Sequence, residues 1–126
     1  MPDRTLLTRT SLVALVLTIL HVTDDIVRGI SPAGPDNLGG VLIFVVWAVG
    51  TLMLSKHRTG VVIMLLGGVF AAAMPVLHMR GARYPALAAS EGGFFFVSTL
   101  FAVGTAGVLA VLEAGRVMWV WRDGRP

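Results

Sequence analysis

An all-α membrane bundle of four helices, running up-down-up-down, is the fold class this sequence predicts, and three observations carry it. Of 126 residues, 56% are hydrophobic and only 13% charged, far from the balance of a water-soluble globule. The apolar residues gather in four runs near the ~20-residue length that spans a bilayer. The links between runs are short and rich in helix breakers, which obliges neighbouring helices to run antiparallel. Residues 1–126 are therefore read as a single transmembrane domain.

The first helix is expected over residues 10–29. Its apolar stretch from Ser11 to Leu20 follows Arg4 and Arg9 as the core of a signal peptide would. His-Val-Thr-Asp-Asp comes next, where cleavage would need small residues, so a retained helix is expected. The breaker-rich turn Ser31–Asn37 leads to a second helix over 38–55, and the tight turn Lys56–Thr59 to a third over 60–79, bent by Pro75. A connection over 81–90, carrying Pro85, precedes a fourth helix over 91–121. At ~1.5 Å per residue that helix reaches about 46 Å, so its last turns overshoot the hydrocarbon. Glu113 and Arg116, three apart on that overshoot, are expected to pair.

Charge sets the orientation. Arg4, Arg9, Lys56, Arg58, Arg116, Arg122 and Arg125 fall on one side, and Arg28, Arg80 and Arg83 on the other. The excess of basic residues places both termini in the cytoplasm. Asp24, Asp25, Asp36 and Glu91 then lie outside, whereas Asp3, Glu113 and Asp123 lie inside, and the Trp119–Trp121 pair sits at the inner interface. Arginine outnumbers lysine nine to one in a chain rich in Ala, Gly and Val, a composition that suits a GC-rich bacterial genome. The expected location is the bacterial cytoplasmic membrane, crossed several times.

Small residues mark the helix seams, because helices in lipid associate by close approach rather than by hydrophobic exclusion. Ala102, Ala106, Ala110 and Ala114 form one stripe, and Gly67, Gly68, Ala71, Ala72 and Ala73 another. The same stripes suit a homo-oligomer or a membrane partner. A duplication is also suggested. Gly39-Gly40 before Ala48-Val-Gly-Thr51 parallels Gly92-Gly93 before Ala102-Val-Gly-Thr105, and Arg28-Gly29 parallels Arg80-Gly81. The two halves would then be parallel helix-hairpin repeats.

Several function classes are excluded. The basic residues form no patch interleaved with aromatics, so nucleic acid is not an expected partner despite the net charge of +3; the partner is the lipid bilayer. Without cysteine there are no disulfides, thiolate metal sites or thiol nucleophiles. No phosphate-binding glycine loop, Gly-x-Ser-x-Gly elbow or His-Glu-x-x-His pair is present.

One polar cluster remains. Ionisable residues inside a span cost about 2.5–3.5 kcal/mol on insertion scales, so they mark functional sites. His21, Asp24, Asp25 and Arg28 share one face of the first helix, and that face continues inward through Thr18 and Ala14. Helical rise puts His78 of the third segment level with Asp25 and Arg28, with His21 ~9 Å deeper, and Glu91 enters from the outer side. His21, Asp25, His78 and Glu91 are the candidate ligands for a divalent metal: zinc, manganese or iron. His21 and Asp25 equally form a candidate catalytic acid–base pair. Arg28, Arg80, Arg83 and Tyr84 are candidate donors to the head of an amphiphilic ligand. Haem between His21 and His78 ranks below a metal ion because of their depth difference.

The plain structural reading stands beside each role. Asp24 with Arg28 is an ion pair at a solvated helix end, His78 caps carbonyls, and Glu91 complements a helix dipole. His57, in a cytoplasmic turn, has no expected role. The expected function is a small membrane protein whose outward-facing pocket binds a metal or an amphiphile, with catalysis left open. The alternatives are an oligomeric proton-coupled transporter and an accessory subunit of a membrane complex.

Overall fold

The structure, a computed structural model, describes residues 4–31 and 34–124, with nothing described of the Asp36 side chain. Asp3, Arg125 and the Pro32-Ala33 step of the first turn, used above for charge and chain reversal, lie outside the described residues.

The described chain is all-helical. It contains α1 (Arg4–Val27), a 3-10 turn at Pro35–Asn37, α2 (Leu38–Leu52), α3 (Arg58–Met79), a short α4 (Tyr84–Ala88) and α5 (Gly93–Arg122). Three helices, α1, α3 and α5, are long and apolar enough to cross a membrane. At ~1.5 Å per residue their 24, 22 and 30 residues span about 36, 33 and 45 Å.

Helix existence follows the expectation, but the boundaries differ. α1 starts at Arg4 rather than at residue 10, since Arg4, Leu6, Leu7 and Arg9 are good helix formers and carry the first turns. α2 stops at Leu52 rather than 55 because the chain must turn immediately. The amides of Met53 and Leu54 both fold back on the Val49 carbonyl, and Gly60 receives the Leu54 carbonyl where any Cβ would collide. Part of the connection over 81–90 is itself helical, with Pro85 in its first turn, where a missing N–H costs nothing.

The long helices meet along regular stripes. On α1 the buried residues are Leu7, Ser11, Ala14, Thr18, His21 and Asp25, in alternating steps of four and three, with Leu15 beside them. α3 and α5 make the most extensive contact in the molecule. Their backbones approach at Gly68 and Gly107: a Cβ on Gly107 would strike the α3 backbone at Ala71 and Ala72, and Gly104 receives the Pro75 ring. Close glycine-mediated approach is how apolar helices gain packing energy in lipid. Ala106, Ala110 and Ala114 are buried on this seam, and Ala102 is half-buried. Gly104 and Gly107, which permit the approach, belong to the same seam.

α2 is attached more lightly. Only Trp47, Gly50 and Thr51 are buried on it. The Trp47 indole donates to the Ser11 hydroxyl at 2.9 Å, Ser11 and Thr51 share a hydrogen bond at 2.9 Å, and Thr51 donates to the Trp47 carbonyl. Every polar side chain in this group is thereby satisfied in an apolar setting. Gly67 of α3 makes room for the indole.

The halves of the suggested duplication occupy different environments. Gly92 is a left-handed residue preceding α5, whereas Gly39 and Gly40 are helical within α2. Thr51 is buried and bonded to Ser11, while Thr105 is exposed and bonds only its own helix at Phe101.

Candidate metal centre

The end of α1 is built to hold Asp25 in place. Gly29, at φ +67°, takes the left-handed position past the helix end. Its amide bonds the Ile26 carbonyl, and the Ile30 amide reaches the Asp25 carbonyl at 2.8 Å. This pairing closes a helix with a Schellman turn.

A second device ties that end to α5. Arg28 forms an ion pair with Asp24 at 2.8 Å and donates to the carbonyls of Glu91 and Gly92, each at 3.0 Å. Gly92 sits at φ +76° directly against the guanidinium, and a Cβ there would displace it. The Asp24–Arg28 pair is thus structural, and the donors of Arg28 are spent on a clamp rather than turned toward a ligand. Clamping the α5 start to the α1 end brings Phe96 and Thr99 against His21.

Three ligand-capable side chains converge. One donor atom each from His21, Asp25 and His78 lies within 4.8 Å of the others, in the only such group among the described residues. His78 Nε2 is 3.1 Å from Asp25 Oδ2, and His21 Nε2 is 3.9 Å from Asp25 Oδ1. His21 is fully buried and Asp25 is 3% exposed, while His78 is half-buried. The depth difference expected between the imidazoles is not realised, because their ring centroids lie 5.1 Å apart. Side chains on a helix lean toward its N-terminus, and His78 leans back until Nδ1 bonds the Met74 carbonyl at 2.9 Å. The rings meet edge to face, not as a coaxial pair facing across a macrocycle.

The outer nitrogens of both imidazoles are already engaged. Thr99 donates its hydroxyl proton to the Phe95 carbonyl at 2.9 Å, so its oxygen accepts from His21 Nδ1–H, also at 2.9 Å. His78 Nδ1–H donates to Met74. His21 therefore presents Nε2 toward Asp25 with a lone pair, while His78 Nε2 makes a hydrogen-bond contact with Asp25 Oδ2 at 3.1 Å. A carbonyl or hydroxyl accepting from the far nitrogen is the usual support of a metal-bound histidine. His21 Nε2 and Asp25 Oδ1 are buried and have no hydrogen-bond partner. Such groups are rare in folded proteins and call for an ion or a water. His78 also faces two acceptors, Met74 O and the Asp25 carboxylate. A neutral imidazole has one proton to give, so an extra proton or a cation completes the contact.

The distances suit a metal ion. With Zn–N and Zn–O bonds of ~2.0–2.2 Å, tetrahedral ligand atoms lie about 3.4 Å apart. His78 Nε2 and His21 Nε2 reach different oxygens of Asp25, at 3.1 and 3.9 Å, and one ligand atom from each of the three residues lies within 4.8 Å of the others, so the group would draw in to hold an ion. Phe96 packs against both rings, at 5.3 and 5.9 Å between centroids, and supplies an apolar wall that limits their rotation.

The other candidates lie elsewhere. Glu91 is exposed, and its side chain does not join the group; only its backbone carbonyl takes part, through Arg28. Arg80 and Arg83 are exposed at the end of α3 and in the link to α4. Tyr84 is half-buried, with its ring 6.4 Å from Phe96. Thr99 and Phe96 were not singled out from the sequence. The signal was there, since both fall on the buried α5 face with Val103, Ala106 and Ala110. At the opposite end of the molecule Arg4 donates to the Lys56 carbonyl, Arg4 and Arg58 stack on Trp121, and Arg116 pairs with Glu113 at 3.3 Å as expected.

Comparison with protein-family models, with curated proteins and with solved structures finds no match for this chain.

Proposed function

We propose that the chain is a multi-pass membrane protein whose His21, Asp25 and His78 bind a divalent metal ion near its outer face. The observation carrying this reading is the convergence of the three groups within 4.8 Å while both Nδ1 atoms are held by other acceptors. Two imidazoles and one carboxylate form a set that zinc, iron(II) and manganese all accept, with zinc suiting a four-coordinate geometry. Three protein ligands leave one coordination position free, as in catalytic rather than structural zinc sites. A bound ion of this kind acts as a Lewis acid toward a ligand in that position.

Membrane residence rests on the three long apolar helices and on the apolar side chains they turn outward. Val16, Leu66 and Leu112 are each more than half exposed, and so are Leu42 and Val45 of α2. A continuous apolar exterior of this kind belongs in lipid. α2, at about 22 Å, is short for a ~30 Å core, and the bilayer accommodates such a helix by local thinning. We read the four spans as up-down-up-down and both termini as cytoplasmic, because the Arg4–Lys56–Arg58–Trp121 end carries the basic excess.

Elemental analysis with an absorption spectrum of the purified protein tests the metal. One equivalent in the wild type and loss in Asp25→Asn are expected; equal metal in both removes the reading. A second reading draws on the two acceptors facing His78. If the contact is completed by a proton, the pair is a proton relay in an oligomeric transporter, and the purified protein contains no metal.

A further inference from the structure

A cleft of about 460 Å³ opens beside the metal centre, lined by Ile30, Leu77, His78, Tyr84, Leu87 and Phe96 among others, with Arg83 at its edge. Two of these, His78 and Phe96, also belong to the metal centre, so the cleft adjoins it on the side where the site is least buried. Its walls are otherwise apolar. Besides His78, its polar side chains are Arg83 and Tyr84, and neither the guanidinium nor the phenol hydroxyl is hydrogen-bonded or ion-paired to another described residue. In this they differ from Arg28, whose guanidinium is held by Asp24 and by the Glu91 and Gly92 carbonyls.

We propose that this cleft seats a single-chain amphiphile with a carboxylate head, Arg83 and Tyr84 holding the head and the chain lying against Leu77, Leu87 and Phe96. Volume argues for one chain. At the ~30 Å³ that a water molecule claims in the liquid, the cleft holds roughly fifteen heavy atoms, well short of a two-chain phospholipid. The size also falls within the ~300–1,000 Å³ of small-molecule sites. Charge argues for a monoanion, of which a carboxylate is the simplest single-chain head. One guanidinium matches a monoanion in bidentate fashion, whereas a phosphate monoester carries about −1.5 to −2 and asks for more cations than the lining provides. The lining by itself supports the seat; its role as the substrate compartment of the metal centre rests on the metal reading.

Photo-crosslinking of the full chain in phosphatidylcholine nanodiscs tests the seat. The probes are a long-chain carboxylate with a diazirine at its chain end and the matching alcohol. The carboxylate is expected to label peptides spanning residues 77–96. The alcohol, and the carboxylate on Arg83→Gln, are each expected to label about fivefold less, the scale of one exposed ion pair. Tyr84→Phe lowers the label by a smaller factor, and both variants keep the metal content of the wild type. Equal labelling by the alcohol, undiminished labelling of Arg83→Gln, or label spread over the outer face of α2 overturns the proposal. Stronger competition by a long-chain phosphate than by a carboxylate overturns the head assignment. Metal content, read separately, distinguishes the two readings: specific labelling of a metal-free protein supports the seat and removes the metal centre.

Discussion

Thr99 Oγ1 lies 2.9 Å from His21 Nδ1, joining residues 78 positions apart, and this one contact fixes which nitrogen of the buried imidazole faces Asp25. Without it the ring is free to turn its lone pair away from the carboxylate. Thr99→Val keeps the shape and removes the acceptor. Outer partners of this kind are worth about 10–100-fold in metal affinity, so a loss of about tenfold is expected, with Thr99→Ser restoring it. A competitive chelator titration measures it; unchanged affinity in Thr99→Val detaches Thr99 from the site.

The ligands themselves give a larger effect. Asp25→Asn and His78→Ala are each expected to leave the purified protein with less than about a tenth of the wild-type metal, since each removes one of the three proposed protein ligands. Glu91→Gln, altering an exposed side chain outside the group, leaves metal content unchanged. Metal loss in Glu91→Gln equal to that in Asp25→Asn would show that the ligand set is drawn wrongly.

The Arg28 clamp has a stability signature. Arg28→Ala abandons the Glu91 and Gly92 carbonyls, and a cost of about 2 kcal/mol is expected for hydrogen bonds from a charged donor. Gly92→Ala adds left-handed strain and a collision with the same guanidinium, so it costs a similar amount. The two losses are expected to be strongly non-additive, because they break one contact. Thermal unfolding in detergent decides it; full additivity argues that the clamp is not shared.

At the α2–α3 seam, Gly67→Ala drives a methyl group into the Trp47 indole. Overpacking of this kind costs about 1–3 kcal/mol. The Trp47 fluorescence is expected to change with it, while Gly115→Ala, where nothing lies within reach of a Cβ, serves as the neutral control. Equal stability of the two variants contradicts the packing described.

Topology is checked without background, because the chain has no cysteine. Both Ala86 on α4 and Thr59 at the start of α3 are exposed. A cysteine at Ala86 is expected to react with a membrane-impermeant maleimide from outside intact cells, and one at Thr59 only after permeabilisation. Reaction of both from outside overturns the orientation.

Legibility from sequence varied with the range of the interaction concerned. The helices were legible because apolar run length is local, and so was the burial of His21 and Asp25, which sit on the stripe of Ser11, Ala14 and Thr18. The Glu113–Arg116 pair was legible for the same reason, being a spacing on one helix. Counting rise along separate helices misplaced His21 relative to His78, because it follows Cα positions and ignores the lean of a long side chain. Its place beside the cluster makes Glu91 a candidate ligand in the sequence. In the fold it is the Glu91 carbonyl, not its carboxylate, that faces α1, a distinction backbone position cannot make.

The sequence by itself determined an apolar helical chain, the faces its helices bury, and the residue types able to hold a metal, since these depend on composition and on the 3.6-residue period. Tertiary structure alone decided that His78 rather than Glu91 joins His21 and Asp25, that Arg28 is a clamp, and that Thr99 orients an imidazole. Those outcomes depend on how α1, α3 and α5 slide and rotate against one another. That placement is set by glycine contacts such as Gly68 with Gly107, and by the Arg28 tie across the α1 and α5 ends, each a meeting of residues distant in the chain.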